Sequence, residues 1–211
     1  AAIESILGQS FTDFEFVIVD DGSTDSTPSI VADYQRRDSR IRVIRKANTG
    51  LADSLNVGIE QASGEWVARI DADDVALSNR LEKQLQIASN SDFVYVGSGA
   101  IEIDDTGRRT GEYIYPVTHE DLLDSLKRGK SFPAHSSALI NTKALRRVGS
   151  YRTRIRRSQD WDLWLRLSEV GRLTSVQESL VMIRKHAMQV SHESGGKDQI
   201  VFSRAAIASY F

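Results

Sequence analysis

Ile70-Asp71-Ala72-Asp73-Asp74 places three carboxylates within four residues. Like charges this close repel one another, and the cluster is costly unless water, hydrogen bonds or a cation offset it. A hard divalent ion prefers such oxygen ligands, and the Asp-x-Asp spacing lets two carboxylates face one ion. Trp66, Val67, Ala68 and Ile70 lead into the run, so the acids are expected at the end of a buried strand. A second pair, Asp20-Asp21, follows the apolar run Phe16–Val19. In open α/β sheets ligands sit beyond the carboxyl ends of the strands, which sets both clusters on one cleft. A turn that caps the following helix is the alternative reading of Asp20 and Asp21. Asp160, after Ser158-Gln159, is either a helix N-terminal carboxylate or a third acid of the same cleft. His186 follows a strand-like segment and reads as a surface residue, a core residue or a ligand.

The elements that would position these groups alternate at short intervals. Ala1–Gly8 is a short amphipathic helix with Ile3, Ile6 and Leu7 on one face and Gly8 as its stop. Phe14–Asp20 is a strand whose apolar second half suits burial on both faces. Asp21–Asp25 turns into a helix with Thr27 as N-cap and Pro28 at its first position. Ile41–Ile44 is a strand, Asn48–Gly50 a loop and Leu51–Ala62 a helix. Glu65–Ile70 is the strand that delivers the acidic run, and Asn79-Arg80-Leu81-Glu82 is a capping box opening a helix to about Ala88. This order predicts an α/β domain around a largely parallel sheet.

The second half has a different rhythm. Phe93–Ile103 is a long strand, and Asp104-Asp105-Thr106-Gly107 turns it into a hairpin with Arg108–Ile114. A helix starts at Thr118–Asp121, Ser136–Ile140 is a short strand, and Asp160–Val170 is a helix carrying Trp161 and Trp164. Core packing is the first reading of Trp164, whereas Trp161, next to Asp160, is placed to face a ligand. Leu173–Arg184 is strand-like at its ends, Ser194-Gly195-Gly196 is a loop, and the last residues read as a helix. The cluster Arg152, Arg154, Arg156 and Arg157 is a solvated loop or an attractor for an anionic ligand.

Composition narrows the classes. The 211 residues suffice for one domain with a real core. A net charge of −2 gives no field to draw nucleic acid, so no nucleic-acid partner is expected. There is no cysteine, hence no disulfide framework and no thiolate metal site. No apolar run approaches the roughly 18 residues of a spanning helix, which still allows peripheral membrane attachment through Lys and Arg.

Seven motifs then fall in one order: Asp20-Asp21-Gly22-Ser23-Thr24-Asp25, Asn48-Thr49-Gly50, Gly64-Glu65, Asp71-Ala72-Asp73-Asp74, His135-Ser136-Ser137, Gln159 to Arg166, and Arg184-Lys185-His186. That ordered set resembles the family 2 glycosyltransferases of the GT-A fold, from residue 1 to about 192. The resemblance implies a Rossmann-like, mostly parallel central sheet flanked by helices. It implies a single domain whose residues 1–92 bind a nucleotide sugar and whose residues 93–211, with the β-hairpin, bind the acceptor. The donor-binding set would be Asp20, Asp21, Asn48, Gly50, Asp71, Ala72 and Asp73. Asp20 and Asp21 would meet the base and ribose. Asp73, Asp71 and His186 would serve a Mn²⁺ or Mg²⁺ on the diphosphate, the imidazole tilting the choice toward Mn²⁺. Asp160 matches the family's catalytic base. The implied reaction is an inverting, metal-dependent transfer to a saccharide or lipid-linked acceptor. Its implied setting is cell-surface polysaccharide synthesis in the cytoplasm, at the inner face of the membrane.

Two departures from the family pattern stand out. The family normally opens with an apolar strand and a Pro-x-Tyr/Phe-Asn turn before the helix that here begins at Ala1. The resemblance is thus to a member truncated at its N-terminus. A gap is then expected beside the Phe16–Asp20 strand, with open edges that invite homodimer formation. Gln159 also stands where a Glu is more usual. Two other classes compete with the enzyme: a non-catalytic nucleotide-sugar-binding module or inactive fragment, and a phosphoacceptor receiver domain. The receiver leaves the hairpin and the Gln-Asp-Trp helix without a role.

Overall fold

The computed structural model describes residues 1–89, 92–155 and 157–186. Arg156, the Ser194-Gly195-Gly196 loop and the expected terminal helix lie outside these residues. Helix α1 (Ala2–Leu7) precedes β1 (Phe16–Asp20), α2 (Thr27–Arg37), β2 (Ile41–Arg45) and α3 (Leu51–Gln61). Next come β3 (Trp66–Ala68), β4 (Val75–Ala76), α4 (Arg80–Ala88), β5 (Phe93–Ile103) and β6 (Arg109–Tyr113). The chain continues through α5 (His119–Lys127), β7 (Leu139–Asn141), α6 (Thr142–Arg147), α7 (Gln159–Ser168) and β8 (Arg172–Arg184).

The α/β class is as expected, but the sheet is mixed rather than mostly parallel. Only β1–β2 and β5–β8 are parallel pairs, whereas β3–β7, β4–β8, β5–β6 and β5–β7 are antiparallel. Strand and helix alternation implies parallel crossovers only when successive strands are neighbours. Here β7 inserts between β3 and β5, and β8 between β5 and β4. Among the described residues β1 pairs only with β2, and β3 only with β7, so the strands form a two-stranded and a six-stranded sheet. β1 accordingly falls short of the two-sided burial its apolar run suggested, with only Asp20 fully buried.

Local signals shift by small steps. Ser26, not Thr27, is the N-cap of α2, and Thr27 N–H donates to Asp25 Oδ1 at 2.9 Å. Asn79 precedes α4 without a side-chain cap, and Glu82 accepts from Ser10 instead of closing a capping box. His135–Ser137 is a 3₁₀ turn leading into β7 rather than strand. The expected β5–β6 hairpin is present, with Gly107 at φ 88° in its turn.

The core lies between β5 and the helices α5, α6 and α7. Tyr95 and Val96 of β5 are fully buried, as are Leu122, Leu145, Leu163 and Leu167. Trp164 is a core residue, its ring centroid 4.7 Å from that of Tyr95. Trp161 is half-buried and meets Phe132 at 6.5 Å.

One charged side chain ties this core to the acidic turn. Arg80 is 0% exposed. Its guanidinium donates to the Arg69 carbonyl (2.9 Å), the Ala138 carbonyl (3.1 Å) and Gln84 Oε1 (3.0 Å). Gln84 continues the network to the carbonyls of Val96 and Ser137, both at 2.7 Å. Arg80→Met would remove this donor from the Arg69 carbonyl and Gln84 Oε1, while the Ala138 carbonyl would keep the Arg69 N–H at 2.9 Å. The expected loss is about 2–3 kcal/mol in chemical denaturation, and an unchanged midpoint would overturn the assignment.

Candidate active site

The acidic run leaves β3 two residues earlier than its apolar lead suggests. The strand ends at Ala68, Arg69 turns inward to 7% exposure, and Asp71–Asp74 form a turn closed by Asp74 N–H to the Asp71 carbonyl at 3.3 Å. Ligand oxygens of Asp71, Asp73 and Asp74 lie within 4.8 Å of one another. Each acid meets a different neutralising group. Asp71 takes both guanidinium nitrogens of Arg69 in a bidentate pair. Asp74 is buried and accepts from Ser136 Oγ and from Arg184 N–H at 2.8 Å. Burial is the main force on Asp74 and pushes its pKa up to about 6. Asp73 is left facing outward with His186 Nε2 3.1 Å from its Oδ2. Ala72 is the exposed apex of the turn.

Ser136 is the hub of this arrangement. Its Oγ lies 3.1 Å from Arg69 Nη1 and 3.0 Å from both Asp71 N and Asp71 Oδ2. Arg184 closes the opposite side, donating to the carbonyls of Asp73 (3.1 Å), Asp104 (2.9 Å) and Asp105 (3.2 Å). The end of β8, the hairpin turn and the acidic turn are thereby fixed to one another, which is what delivers His186 to Asp73.

The other acidic pair is held by local groups. Asp20 is buried and accepts from Ser23 N–H at 2.8 Å, while its Oδ2 has no hydrogen-bond partner among the described residues. Burial would raise Asp21, but Lys46 Nζ at 2.6 Å and the N–H groups of Thr49 (3.0 Å) and Gly50 (2.9 Å) outweigh it and hold the carboxyl at about 2. Asp21 is thus the clamp that shapes the Asn48–Gly50 loop. Asn48 is exposed on that loop, close against Gly22. A Cβ on Gly22, whose φ is +79°, would sit 2.8 Å from Asn48 N.

Asp160 occupies the first turn of α7 behind Ser158, which adopts a left-handed φ of 54°. Burial raises its pKa, against the opposing pull of the Trp161 N–H and of Arg69, while the charge of Asp71 adds to the rise. The carboxylate is therefore in electrostatic reach of the acidic turn. Beneath it, His135 Nε2 and Tyr151 Oη are 2.6 Å apart, and burial keeps the imidazole neutral. The basic cluster nearby is partly structural, since Arg152 pairs with the buried Asp162 at 2.8 Å.

Comparison with known proteins decides the family. The model of glycosyl transferase family 2 matches residues 1–149. The chain belongs to glycosyl transferase family 2. The putative glycosyltransferase EpsE of Bacillus subtilis is 38% identical over 190 residues, covering 87% of this chain and 67% of its own length. An uncharacterized glycosyltransferase of Haemophilus influenzae is 29% identical over 202 residues, covering 90% of the chain and 62% of the relative. The chain thus spans about two thirds of the length of these relatives. The structure of Staphylococcus aureus TarS in complex with UDP-GlcNAc superposes with a TM-score of 0.76 at 21% identity, covering 99% of this chain and 61% of that one. At that identity the likeness carries the GT-A fold. The chain is a glycosyltransferase by family, and no helix among the described residues is long and apolar enough to cross a membrane.

Arg69, Ser136, Lys46 and Arg184 are site residues that sequence reasoning did not single out. Arg184 and Ser136 lay inside quoted motifs, but their partners are far away in the chain. Lys46 carried only its charge as a signal. Its role is testable through acid stability. The folded pKa of Asp21 lies below its unfolded value, so its contribution is complete above about pH 4 and is lost as pH falls from about 3.8 through about 2. Lys46→Met is expected to lower stability at pH 7 and to flatten the acid loss. Parallel pH–stability curves for the two proteins would refute the clamp.

Proposed function

We propose that this glycosyltransferase moves a sugar from a nucleoside-diphosphate donor to an acceptor hydroxyl in one metal-dependent, inverting displacement. The observation that carries the reading is the pairing of Asp73 with His186, beside an Asp71 already neutralised by Arg69. A carboxylate oxygen and an imidazole nitrogen at the cleft suit Mn²⁺ or Mg²⁺, with the imidazole favouring Mn²⁺. Asp73 and His186 would hold the ion, with Asp71 nearer to the ribose. When bound, the cation offsets the charge of the diphosphate leaving group. Asp20 Oδ2, which accepts no hydrogen bond among the described residues and faces Arg45 Nε at 3.5 Å, suits a donor hydrogen from the base, and the Asp21-clamped loop with Asn48 and Gly50 suits the ribose side.

Asp160 takes the proton of the acceptor hydroxyl in this reading, and its raised pKa suits a base. One base opposite the leaving group requires no carboxylate nucleophile, which is why inversion follows. Residues 1–92 then bind the donor and those from 93 onward the acceptor. A saccharide or lipid-linked acceptor in polysaccharide synthesis, at the cytoplasmic face of a membrane, fits the family resemblance. The UDP-GlcNAc complex of the TarS neighbour makes UDP-sugars the first donors to try.

Two measurements test these roles. Asp160→Asn is expected to lower transfer by about a thousandfold with little change in donor binding. In the unsubstituted protein the acid limb of the rate profile should lie above the ordinary Asp value of 3.8. Wild-type turnover in Asp160→Asn would remove the base assignment. The double variant Asp71→Ala, Asp73→Ala is expected to abolish the Mn²⁺-dependent part of UDP binding in calorimetry. An unchanged titration would remove the metal assignment.

A further inference from the structure

A second concavity opens on the face of β5, β6 and β8 beside the acidic turn. It is a half-open hollow of about 200 Å³, and its walls include Glu102 of β5, Tyr113 of β6, Tyr115, Ser131, Ala134 and Lys185. The register explains the grouping. Ala100 pairs with Tyr113, and Glu102 with Ile183, so the same face of three adjacent strands supplies the floor. The segment leading to the His135–Ser137 turn crosses over it with Ser131 and Ala134. The β6 end is held close to β5 because residue 99 is glycine. A Cβ there would lie 2.6 Å from Ile114 Cδ1 and 2.8 Å from the Tyr113 carbonyl.

The chemistry of the walls is that of a carbohydrate site. Tyr113 is 45% exposed and offers a ring face, while its hydroxyl reaches Glu102 Oε2 at 3.3 Å. Glu102 also accepts from Thr110 Oγ1 at 3.0 Å, which fixes the carboxylate while leaving lone pairs for further donors. Tyr115 is buried, its hydroxyl bonded to Ser131. Lys185, anchored by its N–H to the Ile103 carbonyl at 2.7 Å, brings an exposed ammonium to the rim. An aromatic face with an acceptor and a donor at its edges matches a polyhydroxylated ring, whose C–H face is apolar and whose rim bears hydroxyls. The volume is below the roughly 300–1,000 Å³ of a drug-sized ligand site, which suits one ring rather than a nucleotide.

The place matters as much as the chemistry. Ala134 is two residues before Ser136, which binds Asp71 and Asp74, and Lys185 immediately precedes His186. Two walls of the cleft are thus continuous with the two sides of the acidic turn. We propose that this cleft is a subsite for one pyranose ring of the acceptor saccharide, stacked on Tyr113 and hydrogen-bonded by Glu102 and Lys185. The proposal rests on the glycosyl-transfer reading above for its role but not for its binding chemistry.

The test separates the two. Methyl β-D-glucopyranoside, methyl β-D-galactopyranoside and methyl 2-acetamido-2-deoxy-β-D-glucopyranoside are titrated into the protein and followed by NMR, with UDP and Mg²⁺ binding measured in parallel. At least one glycoside is expected to bind at about 1–10 mM with ring-to-Tyr113 contacts, and Tyr113→Ala and Glu102→Gln should each weaken it about fivefold or more. Tyr113 is exposed and Gln is isosteric with Glu, and the amide spectra of both variants verify folding. No binding of any of the three at about 100 mM, or binding indifferent to both substitutions, would overturn the subsite. Glycoside binding without UDP binding would sustain the subsite and remove the donor reading instead.

Discussion

Three carboxylates whose oxygens lie within 4.8 Å must be kept together against their own repulsion. The structure meets this by giving each acid a different answer. Asp71 receives a buried guanidinium, Asp74 is buried with a hydroxyl and a backbone N–H, and Asp73 stays toward the cleft beside an imidazole. Arg69 can serve Asp71 only because its own backbone is pinned by Arg80 from beneath. Ser136 can reach both Asp71 and Asp74 only because the 3₁₀ turn precedes β7, the neighbour of β3. The mixed sheet is thus the device that assembles the cluster. β7 running antiparallel to β3 brings Ser136 to the acids, and β8 beside β4 brings Arg184 and His186 from the other side.

The two acidic regions are built on different mechanical principles. The acidic turn is welded to the six-stranded sheet through contacts from residues 62 to 113 positions away in the chain. Asp20 and Asp21 sit instead on the two-stranded pair β1–β2, where their partners are Ser23, Lys46, Thr49 and Gly50. Local hydrogen bonds replace sheet continuity there. The N-terminal helix bridges the two regions: Ala76 N–H of β4 donates to Ser5 Oγ at 3.1 Å, and Arg40, just before β2, donates to the Leu7 carbonyl at 3.3 Å.

This division explains what could be read from the chain. Helices with clear periodicity and the β5–β6 hairpin were legible, because local spacing and turn chemistry decide them. The acidic residues were legible because like charges at close spacing demand a reason. Strand direction was not legible: Leu139–Asn141 and Arg172–Arg184 carry no local mark of which strands they will join. β4, two residues long, gives no pattern at all. Sequence reasoning does not single out Arg69 and reads Arg80 only as part of a capping box, since a side chain that serves distant carbonyls has no signature in its own neighbourhood. Ser136 was visible inside a motif, but not as the atom that joins two acids.

The environments of Asp21 and Asp160 push their titrations apart, and that separation argues for a division of labour. Asp21 is held at about 2 by an ammonium and two N–H groups, so it is a fixed negative charge whenever the protein is folded and neutral. Asp160 is raised by burial, with Asp71 adding to the rise and Arg69 restraining it. A permanently ionised group can shape a loop but is a poor proton acceptor, whereas a raised one gains proton affinity. In the proposed reading, Asp21 is the structural charge of the donor side and Asp160 the proton-accepting charge of the acceptor side. Arg69 links the two, because the same guanidinium that neutralises Asp71 also restrains Asp160. A change in how tightly Arg69 holds Asp71 would therefore alter the basicity of Asp160 without any contact between the two carboxylates.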